Sequence, residues 1–172
     1  MNDDRALMAR IAARDADAFA TLVVRHGARL HAVARRLLPA ADAEDAVQRA
    51  LLQCYLGAAT YRPEWAVSTW LYRILTNVCV DELRRSARSR RVDPAPTSQA
   101  APDGTRLDLV RALRTVPREA RLLLALRYVD DLPYAELARI RGISVNTVKS
   151  QLARGKSILR AALGGGTDGR TR

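Results

Sequence analysis

The chain has 172 residues, enough for one domain or two small ones, each near the size at which a hydrophobic core sustains itself. Hydrophobic residues make up 48% but aromatics only 5%, so the core alphabet is Leu, Val and Ala, which favours helix over strand. A formal charge of +11 calls for a polyanionic partner, nucleic acid first and an anionic membrane surface second.

No apolar run approaches the roughly 20 residues needed to cross a bilayer. The opening "MNDDRALMAR" lacks the apolar segment of a signal peptide, so a cytoplasmic protein without membrane insertion is expected. Cys54 and Cys79 are too few for a disulfide framework or a four-ligand zinc site, and both fall at apolar positions of helical patterns, as buried thiols do.

Phe19, Leu22, Val23, His26, Leu30, Val33 and Leu37 recur at three- and four-residue spacing, with Pro39 as a stop, and predict one long amphipathic helix. Asp42 is the expected N-cap of the next, with Asp45 at N3. In that helix Ala43, Ala46, Val47, Ala50, Leu51, Cys54, Tyr55 and Ala58 form a stripe toward the core. Leu52 and Leu56 point elsewhere, beside Asp45, Gln48 and Arg49, and two leucines one turn apart on a polar face suit a partner surface.

A loop, "GAATYRPEWAVS", leads into a third long helix over about 68–86 whose buried side is Leu71, Ile74, Leu75 and Val78. The opposite side holds Thr69, Trp70, Arg73, Asn77, Val80, Arg84 and Arg88. With Tyr61 and Trp65 in the loop and Arg85 beside Arg84, this face suits single-stranded nucleic acid, where bases stack on rings while guanidinium groups hold phosphates.

"SRRVDPAPTSQAAPDGT" then interrupts the pattern with three prolines and small polar residues. It cannot bury enough surface to offset its ordering entropy and is read as a linker. The expected division is 1–88, a linker at 89–106, a second domain at 107–163 and a flexible tail at 164–172. The expected fold is all-α: two small helical domains joined by a flexible linker.

Beyond the linker, helices are expected over 107–116, 118–128 and 133–140, and a last one after Gly142. A short helix, a glycine turn and a second helix make the helix-turn-helix plan. Ala138 allows close approach, Gly142 takes the turn, Ser144 caps the last helix, and Val148 and Leu152 face inward. Val145, Asn146, Thr147, Lys149, Ser150, Ala153 and Arg154 then face outward, a mixture of hydrogen-bonding groups, methyls and cations fit for base edges and phosphates in a major groove. No acid lies between Glu136 and Asp168 to oppose DNA.

An enzyme is not expected. The only histidines are His26 and His31, and no nucleophile, carboxylate pair or Gly-rich phosphate loop stands near either, so no cofactor or metal is assigned. A transcription regulator acting alone through its helix-turn-helix is the competing reading.

Three stretches, "DAEDAVQRALLQCY", "STWLYRILTNVCVDELRR" and "VPREARLLLALRYVDDLPYAELARIRGISVNTVKSQLARGKSILRAAL", together resemble the extracytoplasmic-function (ECF) type of bacterial RNA polymerase sigma factor in order and spacing. The resemblance implies that the helix carrying Asp45, Gln48, Arg49, Leu52 and Leu56 docks on the clamp helices of the largest polymerase subunit. It implies that Tyr61, Trp65, Thr69, Trp70, Arg73, Asn77, Arg84, Arg85 and Arg88 read and melt the minus-ten promoter element. Ser144, Val145, Asn146, Thr147, Lys149, Ser150 and Arg154 would read the minus-35 element, in a domain that also docks on the flap of the second-largest subunit. An anti-sigma factor is the usual restraint on such a protein. The sequence departs from the family pattern at Arg49, where an acid is common, at Val67 and Ser68, where Phe and Arg are usual, and at Pro133, where a serine cap is usual.

Overall fold

A computed structural model describes the backbone of residues 2–92 and 104–164. Among the described residues the chain is all helical: α1 (Asn2–Ala12), α2 (Ala16–Leu37), α3 (Ala40–Gly57), a 3-10 turn (Ala58–Thr60), α4 (Val67–Val92), α5 (Gly104–Thr115), α6 (Arg118–Asp130), α7 (Tyr134–Arg141) and α8 (Val145–Gly164). α4 continues past Ser89, and α5 begins inside the segment read as a linker. The remainder of that segment, 93–103, and the tail from 165 lie outside the described residues.

α1 has no counterpart among the expected elements. It packs on α2 through Leu7, Met8 and Ile11, all buried. Ion pairs from Asp3 and Asp4 to Arg25, with Asp4 also on His26 at 2.9 Å, fasten its outer side. α2 starts at a side-chain cap, the Asp15 carboxylate accepting from the Ala18 amide at 3.0 Å. α3 starts differently from the expectation. Its N-cap is Pro39, and Asp42 lies inside the first turn, where the helix dipole rather than a capping hydrogen bond favours it.

The stripe on α3 faces inward as its spacing demands: Ala43, Ala46, Val47, Ala50, Cys54 and Ala58 are buried, and Leu51 and Tyr55 pack against them partly exposed. Burial pushes the Cys54 and Cys79 thiols up to about 12, which keeps both protonated and unreactive at neutral pH.

In the C-terminal group α8 lies close to α6, because a Cβ at Gly155 would stand 3.1 Å from both Ala120 and Leu124. Arg121 donates to the carbonyls of Arg114 and Val116, closing the end of α5. The two groups of helices also pack on each other, α2 against α6 and α4 against α7. Their buried apolar side chains make one contiguous cluster.

Candidate nucleic-acid and polymerase interfaces

α7 ends at Gly142, whose φ of 65° lies in the left-handed region that glycine adopts without strain. The Ile143 amide returns to the Ala138 carbonyl at 3.1 Å and turns the chain. Ser144 then caps α8: its hydroxyl accepts from the Thr147 amide at 3.0 Å and lies 2.8 Å from the Thr147 hydroxyl. Val148 and Leu152 are buried, which rotates Val145, Asn146, Lys149, Ser150, Ala153 and Arg154 to the exposed side, with Thr147 at its border. The Ser144 hydroxyl is thus engaged in the cap, while the next turn of the helix stands free.

A shallow cleft beside this face is lined by Tyr134, Lys149, Leu152, Ala153, Lys156 and Arg160. Arg127 lies over the Tyr134 ring at 5.7 Å, and the Lys156 ammonium over the exposed Tyr128 ring at 5.6 Å. Tyr128 and Tyr134 escaped the sequence reading. The signal available was their position at the ends of α6 and α7, flanking the turn before the helix-turn-helix.

A second cluster forms where the loop after the 3-10 turn meets α4. Tyr61 and Trp70 meet edge to face with ring centres 5.6 Å apart, and the Tyr61 hydroxyl donates to the Trp65 carbonyl at 2.6 Å. Arg73 stacks on Trp65, its guanidinium carbon 5.0 Å from the ring centre. Asn77, Arg84, Arg85 and Arg88 continue an exposed polar face along α4, with Arg84 pairing locally with Asp81 at 3.5 Å.

Two residues expected on that face are elsewhere. Thr69 is 1% exposed, its hydroxyl donating to Glu136 of α7, and Val80 is 6% exposed within the core. The reason is that α4 is covered from two sides, by α2 and α3 and again by α7.

The third surface lies between α3 and α4, a groove lined by Asp42, Asp45, Gln48, Arg49, Glu82 and Arg85. Leu52 and Leu56 stand on the same helix with 57% and 59% of their surface exposed. Arg49 does not project outward as expected. It bends to α4 and donates to Glu82 at 2.6 Å, while Arg85 holds the same carboxylate at 2.8 Å. Among the described residues no group of three or more potential metal ligands gathers, and no helix is long and apolar enough to cross a membrane.

An all-helical chain with a helix-turn-helix at one end and an aromatic and arginine cluster at the other has the anatomy of a promoter-reading factor. Residues 22–89 match the family model for sigma-70 region 2, and residues 106–159 that for sigma-70 region 4. The chain belongs to the ECF family of RNA polymerase sigma factors.

It is 36% identical to the ECF RNA polymerase sigma factor SigM of Mycobacterium tuberculosis, over 94% of this chain and 85% of that protein. It is 29% identical to the ECF RNA polymerase sigma-E factor of Escherichia coli K12, over 91% of this chain and 92% of that protein. Among solved structures, CnrH in complex with the cytosolic domain of CnrY superposes with a TM-score of 0.76 at 27% identity, covering 96% of this chain and 99% of that one. The fold is also that of RpoE of Bartonella quintana, solved in complex with the anti-sigma factor NepR (TM-score 0.71, 22% identity, 87% of this chain and 98% of that one).

Proposed function

We propose that this sigma factor binds core RNA polymerase through α3 and the groove it forms with α4, reads a minus-35 element with α8, and opens the minus-ten element on the Tyr61, Trp65, Trp70 and Arg73 cluster. The observation that carries the reading is the stacking of Arg73 on Trp65 beside Trp70, on the same chain as a capped recognition helix. An indole and a guanidinium plane side by side offer a flat surface to an unpaired base and a cation to its phosphate.

Leu52 and Leu56 supply the apolar centre of the polymerase contact, and Asp45 and Gln48 its polar rim. Arg49 serves that contact indirectly by fixing Glu82 and with it the wall of the groove. On α8, Val145, Asn146, Lys149, Ser150 and Arg154 face the DNA, with Ser144 and Thr147 holding the helix start; the C-terminal group also docks on the polymerase flap. Asn77, Arg84, Arg85 and Arg88 track the phosphates downstream of the cluster. Thr69 joins this face only when α7 is displaced from it.

The protein carries out no reaction of its own; it works in the cytoplasm, where promoter DNA and polymerase are. An anti-sigma factor restrains it, a reading supported by RpoE of Bartonella quintana, which shares the fold and was solved in complex with the anti-sigma factor NepR. Run-off transcription with purified core polymerase tests the proposal. A promoter-dependent transcript that requires the added chain is expected, and its absence on every genomic template sinks the reading.

A further inference from the structure

The turn between α1 and α2 holds a long side chain at a position where the backbone favours none. The Arg14 amide returns to the Ile11 carbonyl at 2.9 Å and the Asp15 amide to the Arg10 carbonyl at 3.1 Å, the pair of bonds that closes a helix around a left-handed residue. That residue is Arg14, with φ 68°, in the place that glycine fills without strain. An arginine kept there against the backbone's preference has its reason outside the turn. Arg14 is exposed, so burial is not that reason.

The reason lies on α3, 41 residues further along the chain. The Arg14 guanidinium donates to the Tyr55 carbonyl at 2.9 Å and lies over the Tyr55 ring, 5.2 Å from its centre. Phe19 of α2 meets the same ring with centres 5.1 Å apart. Tyr55 sits in the last turn of α3, where carbonyls run out of helical amides to accept from. That turn has no basic residue of its own to answer the negative end of the helix dipole. Arg14 supplies the cation from the α1–α2 turn. Leu56 directly follows Tyr55, Leu52 precedes it by one turn, and both leucines are exposed while Tyr55 packs against the core.

We infer that Arg14 is a positioning residue for the polymerase contact: it clamps the C-terminal turn of α3 and so fixes the direction in which Leu56, and with it Leu52, meets core polymerase. Arg14 lies ahead of residues 22–89, the stretch matched by the region 2 model, so α1 and its turn gain a part in that contact. Without the guanidinium the end of α3 keeps the ring contact with Phe19 but loses its bonded carbonyl, and the population with Leu56 correctly placed falls. Apparent affinity falls with that population. The inference rests on the docking surface proposed above and adds what holds that surface in place.

The test uses the whole chain with Arg14→Gly. Glycine accepts the left-handed backbone more easily than arginine, so the turn and the fold are kept, as circular dichroism and thermal melting verify. Binding of the fluorescently labelled chain to purified core polymerase is measured beside its binding to a DNA duplex of random sequence. The expected result is at least about five-fold weaker polymerase binding than wild type, with the melting temperature held and duplex affinity within about two-fold. In a Leu56→Ala background the same change is expected to have almost no further effect, because the two residues act as one unit. Unaltered polymerase binding by Arg14→Gly, or a parallel loss of duplex binding or melting temperature, overturns the inference. So does an undiminished effect beside Leu56→Ala, which would mean that Arg14 touches polymerase itself. Failure of the docking reading is recognised separately, by Leu56→Ala and Leu52→Asp binding polymerase as wild type does.

Discussion

The guanidinium of Arg73 lies over the Trp65 indole with its carbon 5.0 Å from the ring centre, joining α4 to the loop before it. The pair ties a loop aromatic to a rigid helix, and Trp70 is tied in the same way through Tyr61 at 5.6 Å. A base entering this cluster meets surfaces already held in place, so little ordering cost is left for the binding step.

Removing Trp65 therefore affects single-stranded DNA more than duplex. Trp65→Ala is expected to weaken binding of a single-stranded minus-ten oligonucleotide by about 1 to 3 kcal/mol, the usual worth of one stacked base. Arg73→Ala loses both the proposed phosphate contact and the support of the ring, whereas Arg73→Lys keeps charge but not the planar guanidinium over the ring. Anisotropy titrations of the three variants check this, and equal affinities for wild type and Trp65→Ala would refute it.

Leu52 is 57% exposed on α3. Leu52→Asp is expected to leave helix content and melting temperature nearly unchanged, since exposed substitutions stay within roughly 0.5 kcal/mol. It places a charge at the centre of the proposed polymerase contact, and co-elution with core polymerase on gel filtration should be lost. Retained co-elution would move the docking surface elsewhere.

Lys149 and Arg154 project from the free side of α8. Lys149→Ala and Arg154→Ala should each cost about 1 to 3 kcal/mol if the side chain reads a base edge, with relaxed sequence preference at that position. A phosphate contact instead weakens all sequences alike and lowers the salt slope by about one. Salt-dependent binding to minus-35 duplexes separates the two, and an unaltered double variant would show that another face of α8 meets DNA.

Asp4 gives stability a defined acid edge. Burial alone would raise its pKa, but hydrogen bonds from Arg25 and His26 and their charges outweigh that and hold the carboxyl below its usual value. A carboxyl depressed in the folded state contributes stability above its unfolded value of about 3.9, and that contribution fades as pH falls through the lower folded value. Asp4→Asn should therefore destabilise the chain at pH 7 and converge with wild type in strong acid. Urea melts across that range check it; a constant gap would show that the carboxylate charge is not what holds α1 to α2.

The position of every long helix after α1 could be read from apolar spacing, and the glycine turn and serine cap of the helix-turn-helix could be read to the residue. Gly142, Ser144 and Val148 act within a few residues of one another, so their roles follow from local geometry that sequence alone encodes. The outward turn of Leu52 and Leu56 follows from the same rule, because a stripe of five buried residues on α3 leaves only one side for them. α1 was legible in principle. Leu7, Met8 and Ile11 share one face, but a helix this short buries little unless α2 is there to receive it.

What the sequence determined, then, is each helix and the side on which it buries its apolar residues, because both are set by the period of the backbone. Tertiary structure alone decided what happens to polar residues on the remaining side. Thr69 and Arg49 read as solvent-facing by period, yet one is buried under Glu136 and the other drawn down to Glu82, 67 and 33 residues away in the chain. A hydrogen bond or ion pair between distant residues leaves no periodic trace, so whether α4 is open to DNA or closed by α7 is settled only when the two helix groups meet.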